Sequence, residues 1–196
     1  MKRTFVTLFA VVLLSSAAFA QLEKGTMLAG GEFGLELNTN KSKYRNQTTT
    51  NSKSTSFTLE PRFGYFVIDN LAIGGEISLT SSVSKDELDG DKTTDNSFAI
   101  GPFVRYYFPA KIFLEGQYSA GFANTKYSNS NEKDKYNLGG WSLASGYAIF
   151  LNDNVAVEPM LGFQSVSYKN KTDGEAEWKN VNAGMFFRVG FQIYLR

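Results

Sequence analysis

Apolar and polar residues alternate one by one along eight segments between Gly25 and Leu195. The last segment shows this most clearly: every second residue from Val181 to Leu195 is apolar, and those between are mostly polar or glycine. A period of two places successive side chains on opposite faces of a β-strand. The alternation therefore predicts an all-β chain of eight strands, each with one apolar face.

The links between these segments alternate between short and long. The short links are turns at 69–70, 109–110 and 153–154. The long links, rich in Ser, Thr, Asn and Lys, cover 39–53, 85–95, 124–135 and 169–179. Such an order is typical of an antiparallel up-and-down β-barrel, in which successive strands are neighbours and all the long links lie at one end.

Charged residues divide between the strands and the links. Lys is confined to the links and turns, whereas the polar faces of the strands carry Glu and Arg. A closed interior must pair such groups, and the planar guanidinium of Arg can hold a carboxylate with two hydrogen bonds. The predicted interior charge network comprises Glu32, Glu36, Glu60, Arg62, Glu76, Arg105, Glu115, Glu158 and Arg188. We therefore predict an eight-stranded antiparallel up-and-down transmembrane β-barrel, with each arginine meeting at least one glutamate and the pairings left open.

Aromatic residues are abundant, with 17 Phe, 10 Tyr and 2 Trp. Many stand near strand ends, where two bands are expected to meet the lipid headgroups. The band beside the short turns is predicted to contain Tyr65, Tyr106, Phe108, Tyr147 and Phe150. The band beside the long links is predicted to contain Phe122, Trp141 and Tyr168.

The N-terminus has the pattern of a cleaved secretory signal peptide. Lys2 and Arg3 precede an apolar run over 5–14, and 18–20 form an Ala-Phe-Ala cleavage site. The run is too short to span a bilayer as a helix. We expect a signal peptide over 1–20, a short periplasmic segment over 21–24 and the barrel over 25–196.

Two residue types are missing from the sequence. It contains no His and no Cys, so the usual general base and thiolate metal ligands are absent. We therefore expect no catalytic site, no bound metal and no cofactor. The formal net charge of +1 gives no indication of nucleic-acid binding.

Two hairpins resemble a known family. The segments FAIGPFVRYYFPAKIFLEGQYSAGFA and WSLASGYAIFLNDNVAVEPMLGF are similar to hairpins of the small bacterial outer-membrane β-barrel family, often labelled porin-like, with OmpA- and OmpX-type architecture. The resemblance covers residues 21–196 and implies an outer-membrane location, with assembly by periplasmic chaperones and the barrel-assembly machinery. Members usually end on an aromatic residue, whereas this chain ends Tyr194-Leu195-Arg196.

Three functions fit these features. The first is a non-enzymatic, monomeric anchor that contacts outer-membrane lipid and lipopolysaccharide and presents four extracellular loops for envelope integrity, adhesion or surface binding. The second is a narrow, weakly cation-selective pore, because glutamates outnumber arginines on the polar face. The third is a lipid-modifying outer-membrane enzyme, which the missing His disfavours. The ligand of the loops is not indicated by the sequence.

Overall fold

The computed structural model describes residues 22–44, 47–86, 90–129, 133–170 and 179–196. The predicted signal peptide and parts of all four predicted long links lie outside these ranges. The described strands are β1 Met27–Tyr44, β2 Gln47–Ile68, β3 Leu71–Asp86, β4 Lys92–Tyr107, β5 Ile112–Tyr127, β6 Lys133–Tyr147, β7 Ile149–Phe150, β8 Val155–Asn170 and β9 Lys179–Leu195.

The strands form one closed antiparallel sheet. Apart from β6 and β7, which both pair with β8, each strand pairs with its neighbour along the chain, and β1 also pairs with β9, which closes the barrel. The two residues of β7 pair with β8 and continue the ladder that β6 makes with β8. The nine segments therefore build eight barrel strands, and the predicted eight-stranded antiparallel barrel is confirmed.

The short links are tight turns, as the sequence predicts. Asn70 has a φ of 65°, and Asn tolerates this left-handed region better than most residues. A single 3₁₀ turn, Pro109–Lys111, joins β4 to β5. Asn152 accepts hydrogen bonds at its side-chain oxygen from the backbone N–H groups of Asn154 and Val155, both at 2.9 Å. We call the end of the barrel that carries these turns the short-turn end and the opposite end the long-hairpin end.

The prediction that the long links are loops is wrong where strands extend into their described parts. β1 continues to Tyr44 and β2 begins at Gln47, so both strands extend through the predicted 39–53 link. Polar side chains can pair across strands, as the hydrogen bond from Oγ1 of Thr125 to Oδ1 of Asp95 shows within two of these links. The polar composition of these links therefore marks strand extensions as well as turns.

The side chains of each strand point alternately out of and into the barrel, as the sequence predicts. We call the odd or even position of a residue along its strand its parity. Large apolar residues of one parity point outward; Phe63, for example, is 55% exposed. Residues of the other parity point into the barrel, where Arg105 is fully buried. Among the described residues, no helix is long and apolar enough to cross a membrane.

Candidate functional site

The interior of the barrel differs between its two ends. The short-turn half is filled by buried aromatic and charged side chains, whereas the long-hairpin half contains a cavity of about 770 Å³. Glu60 and Arg188 line this cavity and also belong to the charged cluster beneath it. The candidate site is therefore a cavity with a floor of paired charges.

The charged cluster consists of eight inward-facing residues contributed by seven strands. We define the cluster as Glu32, Glu60, Arg62, Glu76, Arg105, Glu115, Glu158 and Arg188. It brings together every residue of the predicted network except Glu36. Five carboxylates face three guanidiniums, so the cluster carries a formal acidic excess.

Glu115 joins two of the arginines. Its Oε2 atom accepts a hydrogen bond from Nη1 of Arg62 at 2.8 Å and another from Nε of Arg105 at 2.6 Å. Arg62 also pairs with Glu76 and Glu32. Because charge-assisted hydrogen bonds are roughly twice as strong as neutral ones, these contacts fix the two guanidiniums relative to each other.

The other end of Arg105 reaches across the barrel. Its Nη1 atom pairs with Glu158, and the same carboxylate accepts a hydrogen bond from the hydroxyl of Tyr194 at 2.6 Å. The Tyr107 and Tyr194 hydroxyls are 2.8 Å apart. Strands β4 and β8, which are not neighbours, are thus connected through the lumen.

Glu32 lies within reach of all three guanidiniums. Besides its pair with Arg62, it is 3.6 Å from Nη2 of Arg105 and 3.7 Å from Nη1 of Arg188. Arg188 pairs with Glu60 and donates a hydrogen bond to Oε1 of Gln164 at 3.0 Å. Every arginine of the cluster therefore contacts at least two carboxylates.

Glu36 does not join the cluster. Its side chain is exposed and lines the cavity. Among the described residues it makes no hydrogen bond or ion pair. It lies four residues nearer the long-hairpin end than Glu32 on the same strand, which puts its carboxylate beyond the reach of the arginines.

Aromatic rings pack inside the lumen on the short-turn side of the charges. The guanidinium carbon of Arg105 lies 4.1 Å from the ring centroid of Phe113, and that of Arg62 lies 5.0 Å from the ring centroid of Phe103. The buried apolar cluster comprises Leu22, Leu28, Phe66, Ala72, Phe103, Tyr107, Phe113, Ala144, Ala148, Ala156, Met160, Phe186 and Tyr194. Cation–π contacts thus join the apolar cluster to the charged one.

We call the buried aromatic residues of the apolar cluster the aromatic layer. Most of its residues are not among those that the sequence analysis singles out. Phe66, Phe103 and Phe113 have the same parity as the inward-facing Arg62, Arg105 and Glu115, and that parity is the signal that could identify them. Inward glycines make room for the rings. A Cβ at Gly162 would lie 2.5 Å from Cζ of Phe186.

Two predicted girdle residues are corrected. Phe150 packs against the interior cluster, with its ring centroid 5.2 Å from that of Tyr194, and Tyr168 lines the cavity. Both have inward parity, since Phe150 follows the outward Ile149 and Tyr168 shares the parity of Glu158. The remaining predicted girdle residues point outward and are exposed: Tyr65, Tyr106, Phe108, Phe122, Trp141 and Tyr147.

The walls of the cavity differ in chemistry. Hydroxyl groups of β2 and β3 line one side, namely those of Ser56, Thr58, Ser78, Thr80 and Ser82. Another part of the wall is an apolar patch made by Ala99, Ala123, Leu138, Tyr136, Val166 and Tyr168. In the described part of the chain, no group of three or more Asp, Glu, His or Cys residues could hold a metal ion.

The chain matches a known family over nearly its whole length. A family model described as an outer membrane protein beta-barrel domain matches residues 6–194. Solved structures that match include the beta domain of the Bordetella autotransporter BrkA, at 13% identity and a TM-score of 0.45, over 85% of this chain and 69% of that one. The outer membrane protein AlkL matches at 11% identity and a TM-score of 0.39, over 89% of both chains.

OmpT of Vibrio cholerae also matches, at 17% identity and a TM-score of 0.32, over 87% of this chain and 52% of that one. This chain thus spans about half the length of that protein. A search of curated proteins finds no match.

Proposed function

Since the chain belongs to the outer membrane protein β-barrel domain family, we propose that it is a non-enzymatic anchor whose long hairpins are displayed outside the cell. The observation that carries this proposal is the filled short-turn half of the lumen. An eight-stranded barrel has an interior just wide enough for side chains to fill it. Here Arg62, Arg105 and the surrounding aromatic rings occupy that space.

The outer surface supports a membrane-spanning role. Leu143, Phe163 and Phe187 are among many large apolar side chains that point away from the barrel and are exposed. A contiguous apolar surface of this extent favours association in water, whereas lipid solvates it. The exposed aromatic residues near both ends of the strands suit the two headgroup regions.

The family pattern gives the proposed orientation. Outer-membrane barrels have short turns on the periplasmic side and longer connections outside. The short-turn end, including the turn at Asp69 and Asn70, would then face the periplasm. Export through the predicted signal peptide over residues 1–20 agrees with that orientation.

A narrow cation-selective pore is the second candidate. The acidic excess of the charged cluster and the cavity of about 770 Å³ favour it. The lumen beneath the cavity opposes it, because Tyr107, Phe113 and Tyr194 are buried there and leave no wide passage. An enzymatic role is less favoured, since the sequence offers no His as a general base.

Planar-bilayer recordings separate anchor from pore. We expect the folded protein, inserted at known density, to give no stable single-channel current. Insertion is verified by heat-modifiable gel mobility on the same preparation. A reproducible, cation-selective current from the wild-type protein would contradict the closed lumen and favour the pore.

Replacement of each hairpin end tests the displayed surface. Each of the four ends is exchanged for a two-residue Asn-Gly turn, which supports a tight hairpin. We expect the barrel to assemble and at least one exchange to reduce adhesion of cells or to increase their sensitivity to detergent. If all four exchanges leave both properties unchanged, the hairpins have no role in surface binding or envelope integrity.

A further inference from the structure

We propose that the cavity in the long-hairpin half is a binding site for a neutral saccharide that enters from outside the cell. The volume of about 770 Å³ falls within the range of small-ligand pockets, which is about 300–1,000 Å³. The site goes beyond anchoring and does not require the lumen to be closed, because its floor of Glu60 and Arg188 lies above the aromatic layer.

The cavity wall has a polar side and an apolar patch, and this combination indicates a ligand that has both kinds of surface. The interior of a water-filled outer-membrane barrel is polar. Here Tyr136, Val166 and Tyr168 pack against three buried apolar residues, and together they form the apolar patch of the cavity wall. Saccharides have apolar C–H faces that pack on aromatic rings and hydroxyl groups that hydrogen-bond, so they match both parts of the wall.

Uncommitted polar groups in the wall give independent support. Glu36, Asn180 and Asn182 line the cavity, and none of them makes a side-chain hydrogen bond or ion pair with another described residue. The Tyr168 hydroxyl likewise accepts and donates no hydrogen bond within the described ranges. Amide and carboxylate groups together offer donors and acceptors suited to hydroxyls.

Charge defines the ligand further. Glu36, Glu60 and Asp95 line the cavity, and the guanidinium of Arg188 is its only cationic group among the described lining residues. That guanidinium already pairs with Glu60 and Gln164. An anionic ligand would therefore meet repulsion without a free partner, so these charges disfavour acidic saccharides.

Saturation-transfer NMR on the protein in lipid nanodiscs tests the site. The probes are maltotriose, cellotriose and triacetylchitotriose, with trigalacturonic acid as the anionic comparison and spermidine as the cationic one. We expect saturable binding of at least one neutral trisaccharide and none of trigalacturonic acid. If no neutral trisaccharide binds, if trigalacturonic acid binds as well as the neutral probes, or if only spermidine binds, the inference is overturned.

Substitutions place the binding in the lumen. Tyr168→Ala removes an apolar contact and Asn182→Ala an exposed amide, and each is expected to weaken trisaccharide binding about tenfold. The matched control is Tyr118→Ala, which removes the same side chain from the outer surface, where Tyr118 is 58% exposed. If both Tyr168→Ala and Asn182→Ala bind the trisaccharide as well as the wild-type protein does, the proposed site is wrong. If the wild-type protein binds saccharide and also conducts ions, only the proposed anchoring role is wrong.

Discussion

Arg105 donates a hydrogen bond from Nε to Oε2 of Glu115 at 2.6 Å, deep inside the barrel. Neither side chain can turn to water, because Arg105 is fully buried and Glu115 is 3% exposed. Breaking a buried pair by removing one partner costs about 3–5 kcal/mol, since the other charge stays buried. The stability of the short-turn half should thus depend strongly on this pair.

The two partners are not equivalent. Arg105→Gln leaves five carboxylates with two guanidiniums, whereas Glu115→Gln reduces the acidic excess. We expect Arg105→Gln to lower the free energy of unfolding by about 4 kcal/mol or more and Glu115→Gln by about 3 kcal/mol or less. Urea unfolding in lipid vesicles measures both values.

Glu36→Gln is the matched control for these variants. Its carboxylate lines the cavity and has no partner among the described residues, so the change should stay within about 0.5 kcal/mol. A loss in Glu36→Gln as large as that in Glu115→Gln would show that the contacts of the charged cluster do not set the stability.

Adding one methyl group inside the barrel should lower the stability at one inward glycine and leave it unchanged at another. A Cβ at Gly162 would lie 2.5 Å from Cζ of Phe186 and 2.7 Å from the backbone oxygen of Leu143, so Gly162→Ala forces the structure to shift. We expect a loss of about 1–3 kcal/mol, which is typical of overpacking. Gly184→Ala is the control, because a Cβ added at Gly184 would have nothing within 4 Å. The unfolding midpoints of the two variants should therefore differ, and equal midpoints would contradict the packing around Phe186.

Tyr194→Phe tests the contribution of the buried Tyr194 hydroxyl to stability. The change removes the 2.6 Å hydrogen bond to Glu158 and the 2.8 Å contact with Tyr107. Hydrogen bonds to charged groups contribute about 1.5–3 kcal/mol, so we expect a loss in this range by urea unfolding. Tyr147→Phe, on the outer surface, removes a hydroxyl without a partner among the described residues and should have little effect. Similar losses in both variants would contradict a role for the buried hydroxyl.

Parity is enough to predict the barrel, and the errors arise where residue type is given more weight than parity. Residue type and position along the strand place Phe150 and Tyr168 in the girdle, although their parity puts them inside. Polarity makes the 39–53 link resemble a loop, although its described residues extend β1 and β2. Residue type is therefore a poor guide to the orientation of a side chain and to the length of a strand in this barrel.

Two pairings that cross the lumen within the charged cluster could not be predicted from the sequence. Arg105 on β4 meets Glu158 on β8, and Arg62 on β2 meets Glu115 on β5. Neither pair lies on neighbouring strands, so both contacts depend on the diameter of the closed barrel and on side-chain length. Alternation along a strand shows which face a side chain occupies but not what lies across the lumen.

A charge placed on the outer surface tests the membrane-spanning role directly. Leu143 is 53% exposed on the outward face of β6, between the outward aromatic residues Trp141 and Tyr147. An arginine at the bilayer midplane of such a barrel costs about 2–4 kcal/mol, and near the interface the cost falls to about 0–1 kcal/mol. We therefore expect Leu143→Arg to destabilise the folded barrel in vesicles by about 2 kcal/mol more than Ser167→Arg, which lies closer to the long-hairpin end of β8. Equal stabilities of the two variants in lipid would show that Leu143 does not face the hydrocarbon core.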